Sequence, residues 1–177
     1  MKKVQVRIKG IVPLLQHRFP EEEHGANNSK KKSKVYDPET EAKKALYQND
    51  QIGIYQPAEH LLCAMVRAGT SFKYEGKRTY KDIISCGIAI EPDCIPLHKE
   101  RKDYTIDARN AVVKRQRIIR WRPRFEEWEL EFDIVILDDQ NISVSTLKEI
   151  LETAGQWGIG DYRPRFGRFQ VTEWREL

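Results

Sequence analysis

Residues 158–168 read Gly-Ile-Gly-Asp-Tyr-Arg-Pro-Arg-Phe-Gly-Arg, placing three glycines and three arginines in one short stretch. Gly158, Gly160 and Gly167 permit positive φ and close backbone approach, and Arg163, Arg165 and Arg168 carry planar forks that match phosphate oxygens. Pro164 fixes the chain between two of those arginines, while Tyr162 and Phe166 offer rings on which a base could stack. Such a loop can hold a phosphodiester through backbone N–H groups and guanidinium groups without catalysing anything. The competing reading is a helix-to-strand connection that needs glycine for its geometry and exposes arginine for solubility.

A second concentration of the same chemistry lies upstream. From His98 to Arg124 there are ten basic residues and three acidic ones, although the net charge of the 177-residue chain is only +4. Arg117, Arg120, Arg122 and Arg124 alternate there with aromatics, with Ile118, Ile119, Trp121 and Phe125 among them, a pattern suited to gripping a strand of nucleic acid or a neighbouring subunit, and Arg115 joins Arg117, Arg120 and Arg122 as an expected nucleic-acid contact. Glu126 to Asp139 follows with seven acids and no base. Segregation on this scale predicts a cationic surface for a polyanion, with a solvated charged hairpin as the alternative. Arg7 and Lys9, on the polar side of the first strand, extend the expected basic face.

The four histidines pose the enzyme question. His17 follows the first strand, His24 falls in a polar stretch, His60 is in the first turn of a helix and His98 opens the basic window. None has a partner at a fixed spacing, so His17 and His60 are the weak candidates for a general base and an ordinary polar or capping role is the expectation. No recurring His/Cys spacing suggests a metal, and there is no Walker loop, Rossmann fingerprint or nucleophile elbow, so no metal or cofactor is expected. Cys63, Cys86 and Cys94 are odd in number and widely spaced, which predicts reduced, buried thiols.

The elements that must position these residues follow from periodicity. Val4, Val6 and Ile8 alternate with Gln5, Arg7 and Lys9 in a strand covered on one side. Residues 20–36 have almost nothing to bury and predict a mobile loop, whose Lys30–Lys34 run could touch a polyanion. Asp37-Pro38 predicts an N-cap and the start of a helix to about Tyr47. Pro57 predicts the first turn of a helix closed by Gly69, Tyr80 to Ser85 a short helix closed by Gly87, and Ile88–Leu97 a strand interrupted at Pro92-Asp93. Glu127 to Leu137 is the strongest strand, with a Glu127, Glu129, Glu131, Asp133 stripe on one face. A helix capped by Ser145 and ended by Gly155 leads into the glycine-rich loop and a last strand. Without insertions the order is strand, helix, strand, strand, helix, strand. This predicts one α+β domain over 1–177: a ferredoxin-like (RRM-like) antiparallel sheet, two helices, and an inserted basic β-hairpin thumb at about 98–126.

With this element order, the segment I-Y-Q-P-A-E-H-L-L-C-A-M-V-R-A at the first core helix, the inserted basic hairpin and the loop G-I-G-D-Y-R-P-R-F-G-R-F, the chain resembles the repeat-associated mysterious protein (RAMP) superfamily of CRISPR systems. It is most similar to the small backbone subunits of effector complexes, although Gln56-Pro57-Ala58-Glu59-His60 lacks the Gly-Ser-Ser run often found there. The resemblance implies an RNA-binding subunit of a CRISPR-type or virus-borne nucleoprotein, with copies of itself and other RAMP-like subunits as partners. The residues themselves predict a single strand of nucleic acid held through phosphates with little base readout, and the resemblance makes that strand RNA in preference to DNA. Two alternatives stay open: a metal-independent endoribonuclease of the RAMP type, and a non-enzymatic viral accessory protein that binds a protein complex. The basic face and the acidic stripe further suggest head-to-tail self-association. No apolar run is long enough to cross a membrane, and a cytoplasmic location is expected.

Overall fold

The computed structural model describes residues 2–19, 37–97, 104–113 and 115–177. The expected loop at 20–36 with His24 and Lys30–Lys34, the start of the basic window at His98, and Lys114 lie outside the described residues. In chain order the elements are β1 (Lys2–Gly10), β2 (Leu14–Leu15), α1 (Pro38–Lys44), β3 (Gln48–Asn49), β4 (Gly53–Pro57), α2 (Ala58–Gly69) and α3 (Tyr80–Gly87). They continue as β5 (Ile88–Glu91), β6 (Cys94–Pro96), β7 (Thr105–Val113), β8 (Gln116–Phe125), β9 (Glu129–Ile136), α4 (Val144–Trp157) and β10 (Phe169–Glu176).

Four strands form an antiparallel sheet in the order β10-β1-β9-β5. With α2 between β1 and β5 and α4 between β9 and β10, this is the expected split βαβ, ferredoxin-like plan. The alternation read from the sequence decides which face is covered. Val4, Val6 and Ile8 of β1 and Leu130, Phe132, Ile134 and Ile136 of β9 are buried in one core with Leu61, Met65 and Ala68 of α2 and Leu147, Ile150, Leu151 and Ala154 of α4. Removing one such large side chain costs about 2–5 kcal/mol through lost transfer energy and the cavity left behind.

Two small sheets stand beside the main one, β2-β8-β7 and β3-β4-β6. The first carries the expected hairpin: β7 and β8 pair over nine residue positions, from Thr105 opposite Arg124 to Val113 opposite Gln116, and α1 packs against them. Leu14 and Leu15 pair with Phe125 and Arg124, which anchors the hairpin base to the chain just after β1.

Local differences from expectation have local causes. Ile88–Leu97 is not one interrupted strand: β5 closes the edge of the main sheet while β6 pairs with β4, because Pro92 offers no N–H and the turn is tied to α2 by Ala58 N–H donating to Asp93 C=O at 2.8 Å. Asp37 does cap α1, accepting from Thr40 N–H at 2.9 Å, but the helix stops at Lys44 instead of Tyr47. The cap of α4 is Ser143, which accepts from Thr146 N–H at 3.1 Å, and not Ser145. Gly155 does not end α4; a Cβ there would lie 2.3 Å from the Phe169 carbonyl, so the glycine admits β10 to the helix flank and the helix continues to Trp157. The expected buried thiols are also corrected. Cys63 and Cys86 are exposed and Cys94 is half-buried, because the core sides of α2 and α3 are occupied by Leu61, Ala64, Met65, Ile83 and Ile84.

Candidate nucleic-acid interface

The register of β7 and β8 sorts the basic window onto two faces. Residues opposite one another share a face, so Asp107, Arg109, Arg120, Arg122 and Arg124 lie on one side of the hairpin and Arg117 on the other. The sequence grouped Arg117, Arg120 and Arg122 as one gripping row; the pleat separates them. The glycine-rich loop packs against the arginine-bearing side. Tyr162 donates its hydroxyl to Asn110 C=O at 2.8 Å. The Arg122 guanidinium lies 4.9 Å from the centre of the Tyr162 ring, and Arg109 lies 4.5 Å from that of Phe166. Arg124 approaches the same Phe166 ring at 5.7 Å.

Two carboxylates hold this seam. Asp107 is buried and pairs with Arg109 Nε at 2.6 Å and Arg124 Nη1 at 3.4 Å, while Asp161 meets Arg122 Nε at 2.5 Å. Neither acid was singled out in the sequence, although each is an isolated carboxylate inside a basic or glycine-rich run. Arg109, one of the ten cations of the basic window, stacks on Phe166 and is a central strut between loop and hairpin.

Several expected roles are corrected here. Arg122 is only 5% exposed and is a packing residue, because its charge is spent on Asp161 and its plane on Tyr162. Phe166 is buried under arginines and offers no open ring to a base. The glycines are filled by the protein's own backbone. A Cβ on Gly160 would lie 2.4 Å from Leu15 C=O, on Gly167 1.8 Å from Ile159 C=O and on Gly158 2.7 Å from the Gly167 carbonyl carbon. Nor does the loop offer a ring of free backbone donors. Asp161 N–H donates to Leu15 C=O, Gly167 N–H to Pro13 C=O, Ile159 N–H to Gly167 C=O and Phe166 N–H to Tyr162 C=O.

What the loop does present outward is charge. Arg163 and Arg165 flank exposed Pro164, Arg168 is half-buried, and Arg115 (φ 67°) and Arg117 are exposed near the hairpin turn. Among the described residues, no carboxylate pairs with Arg115, Arg117, Arg163 or Arg165.

Half-buried Arg7 and exposed Lys9 lie on the open face of the main sheet, and that face is not basic. Arg7 binds Glu173 at 2.6 Å and Glu131 at 3.0 Å, Lys9 meets Glu129 at 3.5 Å, and Lys3 meets Asp133 at 3.0 Å. Because β1 lies between β9 and β10, the acidic stripe neutralises the basic one within a single molecule. Within the Glu127–Asp139 stretch expected to support head-to-tail self-association, Glu129, Glu131 and Asp133 are therefore paired inside the molecule.

His17 and His60, the two described histidines, are half-buried near the same loop. His17 is pushed below the usual imidazole range by burial and then by Arg122 and Arg120, with Asp161 opposing. His60 is lowered by burial and by Arg163, with Glu59 opposing. Its ring stands edge-on to Tyr47 at 5.4 Å, and Gln56 Nε2 lies 2.6 Å from its Nδ1. Among the described residues, no group of three His, Cys, Asp or Glu converges on a point where a metal ion could be held. No helix among them is long and apolar enough to cross a membrane.

No protein-family model matches the chain, and no curated protein matches it. Among solved structures, a chain in the cryo-EM structure of the Type III-B Cmr-beta bound to cognate target RNA superposes with a TM-score of 0.54 at 11% sequence identity. The superposition covers 99% of this chain and 60% of that one, so this chain spans about three fifths of its structural neighbour's length. At that identity the likeness is one of fold.

Proposed function

We propose that this protein binds single-stranded RNA through its phosphates, as a RAMP-like subunit of a CRISPR-type or virus-borne nucleoprotein. The observation that carries the reading is the seam. Loop and hairpin, some 40 residues apart in the sequence, are fixed together by Arg109 and Arg122 on Phe166 and Tyr162, and Arg163, Arg165 and Arg115 are left unpaired, with Arg117 unpaired on the hairpin's other face. A rigid support for free guanidinium groups is what backbone recognition needs: the forks meet phosphate oxygens, condensed counterions are released, and little ordering entropy is lost on binding. With Phe166 buried and Tyr162 stacked under arginine, base stacking contributes little, so binding depends weakly on sequence. The fold shared with a chain of an RNA-bound assembly agrees with this reading.

Membership in a larger particle is supported by the outer face of the hairpin. Ile106, Val112 and Ile119 are 39%, 72% and 54% exposed there beside Arg117, an apolar strip suited to a protein neighbour. The test is retention of a labelled oligouridylate as salt is raised. A steep linear fall of log affinity with log salt is expected, each lost phosphate contact reducing the slope by about one. Absence of binding at low salt overturns the proposal.

A further inference from the structure

Two glutamines, Gln16 after β2 and Gln56 in β4, are fully buried. Buried amides are costly unless every group is satisfied, and here the partners dictate an order. Tyr47 N–H can only donate, and it meets Gln16 Oε1 at 3.0 Å; Tyr55 C=O can only accept, and it meets Gln16 Nε2 at 2.8 Å. These two backbone groups orient the Gln16 amide unambiguously. The same Gln16 Nε2 donates to Gln56 Oε1 at 3.0 Å, which in turn orients Gln56 and leaves its Nε2 facing His60 Nδ1 at 2.6 Å. An amide NH₂ has no lone pair to offer, so Nδ1 must accept and the ring proton must sit on Nε2. Protonating Nδ1 would set N–H against N–H and break the chain.

We propose that the Gln16–Gln56 relay locks His60 as the neutral Nε2–H tautomer, a fixed hydrogen-bond donor for a phosphodiester oxygen. The role rests on the RNA-binding reading above; the tautomer does not. Groups facing the ring agree with a neutral state. Arg163 from the loop disfavours a second cation, Glu59 of its own helix opposes weakly, and the Tyr47 ring covers one edge. The relay also closes the general-base route through Nδ1, whose lone pair is already engaged by Gln56, so His60 takes no proton from a ribose hydroxyl at that atom.

The test joins a tautomer measurement to a binding measurement on the full chain. Long-range ¹H–¹⁵N correlation spectra at pH 8 should show His60 with a bare Nδ1 and a protonated Nε2. Gln56→Glu replaces the donor by a carboxylate, which accepts only; His60 must then protonate Nδ1, and its titration midpoint should rise. An Nδ1–H tautomer, an imidazolium at neutral pH, or indifference to Gln56→Glu overturns the lock. With the labelled oligouridylate, His60→Ala should weaken binding about tenfold, while His60→Gln, whose amide nitrogen can reach the Nε2 position, should stay within about threefold. Wild-type binding with equal affinity for His60→Ala overturns the donor role and leaves the RNA reading intact. No binding by the wild type overturns the RNA reading and the donor role together, and the spectra still decide the tautomer.

Discussion

The open face of the main sheet and the seam between loop and hairpin use the same kinds of residue, cations and carboxylates, to opposite ends. On the sheet, Lys3, Arg7 and Lys9 meet Asp133, Glu131, Glu173 and Glu129 in exposed pairs that cancel charge across β9, β1 and β10. In the seam, Asp107 and Asp161 serve Arg109, Arg124 and Arg122, and these arginines also lie over Phe166 and Tyr162, so charge becomes scaffold and a further set of arginines remains free. The difference is burial. An exposed pair is screened and worth about 0–1 kcal/mol, whereas a buried acid that loses its partners is left unsolvated at several times that cost.

That contrast can be broken most severely inside the loop. Gly167→Ala forces a Cβ into the Ile159 carbonyl at a φ of +74°, and it should cost more than about 3 kcal/mol in urea denaturation and abolish RNA binding. Asp107→Ala strips the shared partner from Arg109 and Arg124 and should cost about 3 kcal/mol; a loss below about 1 kcal/mol would make the seam no different from the sheet. Arg163→Ala with Arg165→Ala should leave stability unchanged and lower the salt slope of RNA binding by about two, while Arg7→Ala leaves that slope alone because its charge is already neutralised. The smallest effect belongs to the sheet itself: Glu131→Gln should cost at most about 1 kcal/mol and nothing at high salt.

Acid provides a further measure on the seam side. His17 and His60 both hold native pKa values below the ordinary 6.5, so the unfolded chain binds protons first as pH falls. Stability is therefore complete above about pH 7.5 and declines as pH drops through 6.5 towards the native values. Thermal unfolding followed across that window should show the decline, and His60→Gln should reduce its slope.

The fold was legible because its signals are local. Alternation in β1 and β9 and the helical spacing of Leu61, Met65 and Ala68 mark a core face wherever the chain goes, and Asp37-Pro38 caps a helix with no help from tertiary contacts. The turn at Pro92 was also visible, but not that β5 and β6 join different sheets, since strand pairing depends on partners distant in sequence. The basic window and the glycine-rich loop were likewise visible as composition.

Which arginines stay exposed and unpaired was not legible, for three physical reasons. Pleating sends Arg117 and Arg120 to opposite faces, and the register that does so is set across the hairpin. Glycine spacing signals close approach, but the approaching group at Gly158, Gly160 and Gly167 is the protein's own backbone. Opposite charges far apart in sequence become neighbours when β1 inserts between β9 and β10, so a face that reads basic in one strand is neutral in the sheet. The sequence by itself determined the elements, the core faces and the supply of cations. Only the tertiary structure decided which cations are buried struts, which are paired and which stay free, because charge acts through distance and solvent exposure, and neither is a property of a linear chain.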